Sequence, residues 1–169
     1  MKLHYAPHPV LRRRAEPFHE HEDLRGLMDA MLHTLFKEDG WGLAAPQIGV
    51  SKRLMVIDTS LGQAHLPPQP QFFVNPEILW LSDTLVTATE GCLSVPGVWG
   101  EVKRPDAVRL RYQTPERVVH EELYEGHMAR AVQHEYDHLE GRIYLDHMPA
   151  VKKQMLLRKS QQYRKIHLS

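Results

Sequence analysis

The chain has few means of covalent reinforcement. Its 169 residues include one cysteine, Cys92, so no intrachain disulfide can form. A lone thiol must be packed, ligating or reactive. Net charge is also missing: 21 basic residues balance 21 acidic ones, which argues against nucleic acid as a general partner. No apolar run approaches a membrane span, and the N-terminus lacks the charged-then-apolar pattern of a leader. No membrane association is therefore expected, and a cytoplasmic location is. Acidic residues are absent from the C-terminal end, where Lys152, Lys153, Arg158, Lys159, Arg164 and Lys165 follow Asp146 unopposed. That basic segment reads either as a solvated helix face or as a docking surface.

An apolar fraction of 42% and a charged fraction of 25% are ordinary for a globular protein, and the length suits one domain, 1–169. Residues 1–17 carry prolines and the Arg12-Arg13-Arg14 cluster and read as extended or loop. From about 20 to 39 an amphipathic helix is expected, with Leu24, Leu27, Met28, Met31, Leu35 and Phe36 at helical spacing and Gly40 ending it. The stretch from Gly40 to Gly49 matches the GxGxxA dinucleotide fingerprint. A helix precedes it, however, and Pro46 forbids helix continuation, so it reads as a tight backbone segment presenting Gln47. Strands are expected at 53–58, 77–82 and 84–89. Two more, at 105–113 and 117–124, form a hairpin. An exposed, mobile loop is expected at 62–71, and Glu90 to Gly97 interrupts the β region. Pro149 opens a last helix, roughly 149–165, with Val151, Met155, Leu156 and Tyr163 on its apolar side. Strands followed by a long helix imply an α+β fold with mixed or antiparallel sheets.

The chemistry concentrates in Gln133-His134-Glu135-Tyr136-Asp137-His138, an HExxH signature in a helical run bounded by Gly126 and Gly141. Residues four apart share a helix face, so His134 and His138 can aim at one point with the Glu135 carboxylate beside them. Two imidazoles and a general base are what a metal-activated water requires. A third ligand is needed. No glutamate follows Glu140, and the HExxHxxGxxH pattern fails at Tyr144. The ligand should come from upstream: Cys92 is the strongest candidate, with His120 and His127 as rivals. His127 lies about 10 Å from His134 by helical rise, too far for shared ligation.

Three stretches together resemble peptide deformylase: Gly40-Trp41-Gly42-Leu43-Ala44-Ala45-Pro46-Gln47, Glu90-Gly91-Cys92-Leu93-Ser94 and the HExxH segment. That resemblance implies a metal-dependent hydrolase that removes the formyl group from N-formyl-methionyl peptides, with Fe2+ as native ion and Zn2+, Ni2+ or Co2+ as substitutes. It implies Cys92, His134 and His138 as ligands, Glu135 as acid and base, and Gln47 with the Leu93 backbone N–H at the oxyanion. Trp41, Gly42, Gly91 and His127 would contact substrate, with Glu90 and Arg104 in support. It also implies a monomer and favours ribosomal RNA as partner of the basic segment. His127 stands where an apolar residue is usual, and Trp99 where a smaller or basic one is expected near the cleft mouth. The rival readings are a zinc endopeptidase, a metal-free cysteine hydrolase and a binding module on the ribosome.

Overall fold

Apolar residues a helical turn apart near the N-terminus bury as their spacing requires. In the computed structural model, which describes residues 1–168, helix α1 spans Arg25–Lys37. Met31 and Leu35 are fully buried against Leu43, Leu54 and Val56, whereas Phe36 falls off the stripe and is half exposed. Strand β1, Gly42–Ala44, follows and leads into a 3-10 turn at Ala45–Ile48. No α-helix opens after the GxGxxA segment, so the geometry that would cradle a dinucleotide is not built.

The remaining strands are β2 (Leu54–Asp58), β3 (Pro70–Leu81), β4 (Leu85–Cys92), β5 (Val95–Pro105), β6 (Ala107–Gln113) and β7 (Val119–Glu125). β1, β2, β3, β6 and β7 form one antiparallel sheet in that order, and β4 pairs with β5 in a separate hairpin. This is the expected α+β class, with every ladder antiparallel. Helix α2, Gly126–Leu139, begins directly from β7 and lies against β1, β2, β6 and β7. Its apolar face, Ala129, Val132 and Leu139, packs on Met55, Ile57, Phe73, Val108 and Leu110. Gly141 ends the turn after α2 with φ +75, and a Cβ there would meet the Arg12 carbonyl oxygen at 2.6 Å. Helix α3, Ala150–His167, covers β5.

Several expectations are corrected. Glu90 to Gly97 does not interrupt the β region: β4 continues through Cys92, only Leu93 and Ser94 turn, and β5 begins at Val95. The inward face of β5 reads Val98, Gly100, Val102, Arg104, and a glycine and a buried arginine on that face blur its alternation. β3 starts at Pro70, inside the expected loop, though 62–70 is exposed. On α3, Val151 and Met155 face solvent, while Leu156 and Ser160 are buried. Lys153, Leu157, Gln161 and Arg164 are half-buried on the same stripe. This helix docks through a largely polar face, so counting only apolar residues selects the wrong side.

Asp146, in the 3-10 turn Tyr144–His147, ties α3 to the N-terminal segment. Its carboxylate accepts from Arg12 at 2.7 Å, the Ile143 N–H at 2.8 Å and Lys153. Burial pushes this carboxyl up, but Lys153, the Ile143 N–H and Arg12 hold it below its ordinary 3.8. A depressed folded value means the stabilisation is full above the unfolded value and is lost as pH falls through the folded one. Asp146→Asn should cost about 1–2 kcal/mol at neutral pH. Denaturant unfolding from pH 7 into the acid range checks this: the gap from wild type should close as pH falls, and a constant gap would remove the charge from the account.

Candidate metal centre

Helical spacing and one β-hairpin turn bring the site together. His134 and His138 project from the same face of α2, with ring centroids 5.5 Å apart. Cys92 arrives from the end of β4, its Sγ 3.4 Å from His138 Nε2. One ligand atom from each of the three lies within 4.8 Å of the others, the only such group among the described residues. Ligand atoms at tetrahedral corners of a site with one thiolate and two imidazoles are roughly 3.3–3.6 Å apart, so the donor set fits a divalent transition metal with small adjustments. Burial alone would push the Cys92 thiol up, but the His138 and His134 imidazoles beside it bring it down to about 5. A thiolate is the form that ligates.

His134 is oriented from behind. Its Nδ1 lies 2.8 Å from Glu90 Oε1, which leaves Nε2 for the cluster. Glu90 is buried and takes Arg104 through Nε at 2.6 Å and a terminal nitrogen at 3.0 Å, and Arg130 at 2.6 Å. Burial opposes its charge, yet His134 and Arg104 hold the carboxyl far below the usual range. The same Arg104 reaches Asp137 at 2.9 Å, and Asp137 also pairs with His147 at 2.8 Å. Burial lowers the tendency of His134 to be protonated, but Cys92 and Glu90 outweigh it and raise its pKa.

Glu135 is buried on the neighbouring face of α2, and its Oε1 has no hydrogen-bond partner. Burial raises its carboxyl above the ordinary 4.5. Gly42 faces it: a Cβ at this position would lie 2.5 Å from Glu135 Oε2. Gln47 is buried in the 3-10 turn after β1, its Oε1 accepting from Ala44 N–H at 2.9 Å. The amide Nε2 donates one hydrogen to Ser94 Oγ at 3.0 Å and sits 3.6 Å from Cys92 Sγ, so its second N–H points at the cluster. Leu93, in the turn after Cys92, packs toward Gly40, where a Cβ would meet Leu93 Cδ1 at 2.8 Å.

Of the residues singled out in the sequence, Cys92, His134, His138, Glu135, Gln47 and Gly42 converge, with Glu90 and Arg104 behind them. Gly91 adjoins Cys92 and lies under the Trp99 indole. Trp41 is 59% exposed beside Gly42, its indole against Gly62. His127 is exposed at the first turn of α2, and His120 stacks on Tyr112 with centroids 5.9 Å apart, so neither rival joins the cluster. The Tyr144 hydroxyl donates to the Val98 carbonyl, away from a ligand role. Arg130, Asp137, His147 and Ser94 were not singled out for any role. Arg130 precedes His134 by four residues, and that spacing on the ligand face was the available signal. For Ser94 and His147 no local pattern exists.

A sequence profile for polypeptide deformylases matches residues 1–154. The chain is 46% identical over 160 residues to the peptide deformylase of Phenylobacterium zucineum, covering 94% of each. It is 43% identical to that of Maricaulis maris, covering 90% of this chain and 87% of the relative. Among solved structures it resembles a peptide deformylase from Legionella pneumophila with TM-score 0.88 and 36% identity, covering 98% of this chain and 95% of the other. One from Synechococcus elongatus, in complex with actinonin, gives 0.84 and 35%, over 98% and 88%.

In metal-free protein, alkylation of Cys92 should titrate with a midpoint near 5 rather than at the ordinary 9.0. Stoichiometric divalent metal should protect the thiol, and Cys92→Ala should lower bound metal well below one equivalent. A midpoint near the ordinary value without metal protection would detach the thiol from the imidazoles.

Proposed function

The chain belongs to the peptide deformylase family, enzymes that remove the N-formyl group from nascent peptides, and from that premise we propose how its residues divide the work. The observation that carries the reading is a buried Glu135 with an unpartnered oxygen beside the Cys92–His134–His138 group. Peptide deformylases are metal-dependent. Cys92, His134 and His138 would hold one divalent ion, whose Lewis acidity polarises the formyl carbonyl and makes a water more acidic.

Glu135 takes a proton from the attacking water, and the raised carboxyl suits a base that must later act as an acid. Water oxygen adds to the formyl carbon, and negative charge grows on the formyl oxygen. Gln47 Nε2 and the Leu93 backbone N–H donate to that oxygen, and removing one such donor typically costs about 3–4 kcal/mol. As the C–N bond breaks, Glu135 returns its proton to the leaving amine, releasing formate and a free N-terminus. Gly42 and Gly91 line the path of the peptide backbone, and their missing side chains make room for the Glu135 carboxylate and the Trp99 ring beside it. Trp41 and His127 border the substrate side chains.

Fe2+ is the native ion in this reading, by family likeness. A thiolate with two imidazoles accepts Zn2+, Ni2+ or Co2+ as well, and affinity alone ranks Fe2+ below zinc. Residues 1–169 act as one catalytic domain, supported by the profile match over 1–154 and by α3 packing into the core around Tyr144, Val98 and Val102. All the site residues come from one chain, so a monomer suffices, and its place is the cytoplasm. No helix among the described residues is long and apolar enough to cross a membrane. The basic C-terminal helix docks on ribosomal RNA. Lys152, Arg158 and Lys159 are exposed along it, while Lys153 and Arg164 are drawn toward Asp146 and Tyr5.

Glu135→Ala should keep its metal and lose nearly all formate release, and Gln47→Ala should lose two to three decades in rate, by the cost per donor given above. Formate release and metal content of anaerobically prepared protein, measured together, check this. Full turnover by Glu135→Ala would reassign the acid–base. Binding to ribosomes should weaken with salt and with truncation of residues 150–169. Equal pelleting of full-length and truncated protein would remove the docking idea.

A further inference from the structure

Trp99 leaves 65% of its surface exposed although it stands over Gly91, the residue before Cys92. It lies on the outward face of β5, opposite the inward Val98, Gly100 and Val102. Its indole is seated in one place: a Cβ on Gly91 would fall 2.7 Å from both its Cδ1 and Nε1. Gly91 directly precedes Cys92, and the β4–β5 ladder shifts register between Glu90 and Cys92. An aromatic ring thus stands over the backbone next to the metal group, with most of its area in water. Core packing does not account for such a placement.

The segment carrying a second exposed indole, Trp41, meets this one. Gly40 lies against Leu93, which brings the residues before β1, including Trp41, to the turn that follows Cys92. An extended peptide passing Gly91 pairs in the plane of the strands, and side chains of alternate residues rise on the face where the Trp99 ring stands. Tryptophan offers a large, rigid contact surface with few torsions to freeze, so it discriminates by area at low entropic cost. Resting on the deformylase reading, we propose that Trp99 is a specificity-determining residue: its ring receives an apolar or aromatic side chain at the second or third residue of the formylated peptide.

Formate release from formyl-Met-Ala-Ser, formyl-Met-Phe-Ser and formyl-Met-Ala-Phe by wild type, Trp99→Ala and Trp99→Phe tests this. Wild type should favour one of the Phe-containing peptides by about tenfold in kcat/KM, expressed in KM. Trp99→Ala should lose that preference, losing less on formyl-Met-Ala-Ser than on the favoured peptide, and Trp99→Phe should keep most of it. Equal loss on all peptides would indicate a structural role and overturn the proposal, as would a preference that survives Trp99→Ala or is absent from wild type. No formate from any peptide would instead defeat the deformylase reading. The ring contact is then still decided by tryptophan fluorescence with unformylated Met-Ala-Phe and Met-Phe-Ser: a change in wild type that is absent in Trp99→Phe supports it, and an identical response overturns it.

Discussion

The buried Glu90 carboxylate is the point from which the centre is built. It lies between the β4–β5 hairpin and α2, elements joined by no ladder hydrogen bonds, and fastens them with Arg104 from β5 and with Arg130 and His134 from α2. A buried charge is tolerated only when its oxygens are filled, and removing one partner of such a group typically costs about 3–5 kcal/mol. Here each oxygen takes two donors. The arrangement holds Cys92, two residues further along β4, within reach of the histidines. It also fixes which nitrogen of His134 faces the centre.

A second constraint is space. As the proposed base, Glu135 needs room for substrate and water, and Gly42 faces its carboxylate, where any side chain would collide. Gln47 follows on the 3-10 turn, its carbonyl end engaged by the Ala44 N–H and its amide end by Ser94. The carbonyl and one N–H are thereby pinned, which aims the second N–H toward Cys92 and the centre without reorganisation. Packing by α1 beneath β1 and the 3-10 turn, through Leu35, Leu43 and Ile48, holds this lip of the site in place.

How much could be read in advance depended on how local each feature is. The shared face of His134 and His138 with Glu135 beside them follows from helix geometry over a few residues, and the stripe Met31, Leu35 from the same periodicity. β5 was not recognised because Pro96, Gly97 and Gly100 look like breakers and because its inward Arg104 looks like surface. That arginine is buried only because Glu90 and Asp137 meet it from other elements. The buried side of α3 was misassigned for a related reason: it docks through Ser160 and half-buried polar residues, with Ser160 donating to the Pro96 carbonyl.

The sequence by itself determined the α+β class and the helix bearing His134, Glu135 and His138, and its lack of downstream ligands pointed upstream for a third donor. Resemblance over three motifs added the chemistry. Only the tertiary structure decided that Cys92 rather than His120 or His127 reaches the two imidazoles, that Arg130 and Arg104 share one carboxylate, and that Trp99 stands exposed over Gly91. Periodicity is a property of neighbouring residues and is written in their order. The meeting of a strand end with a helix face more than forty residues away depends on how whole elements pack, and no short window of sequence contains it.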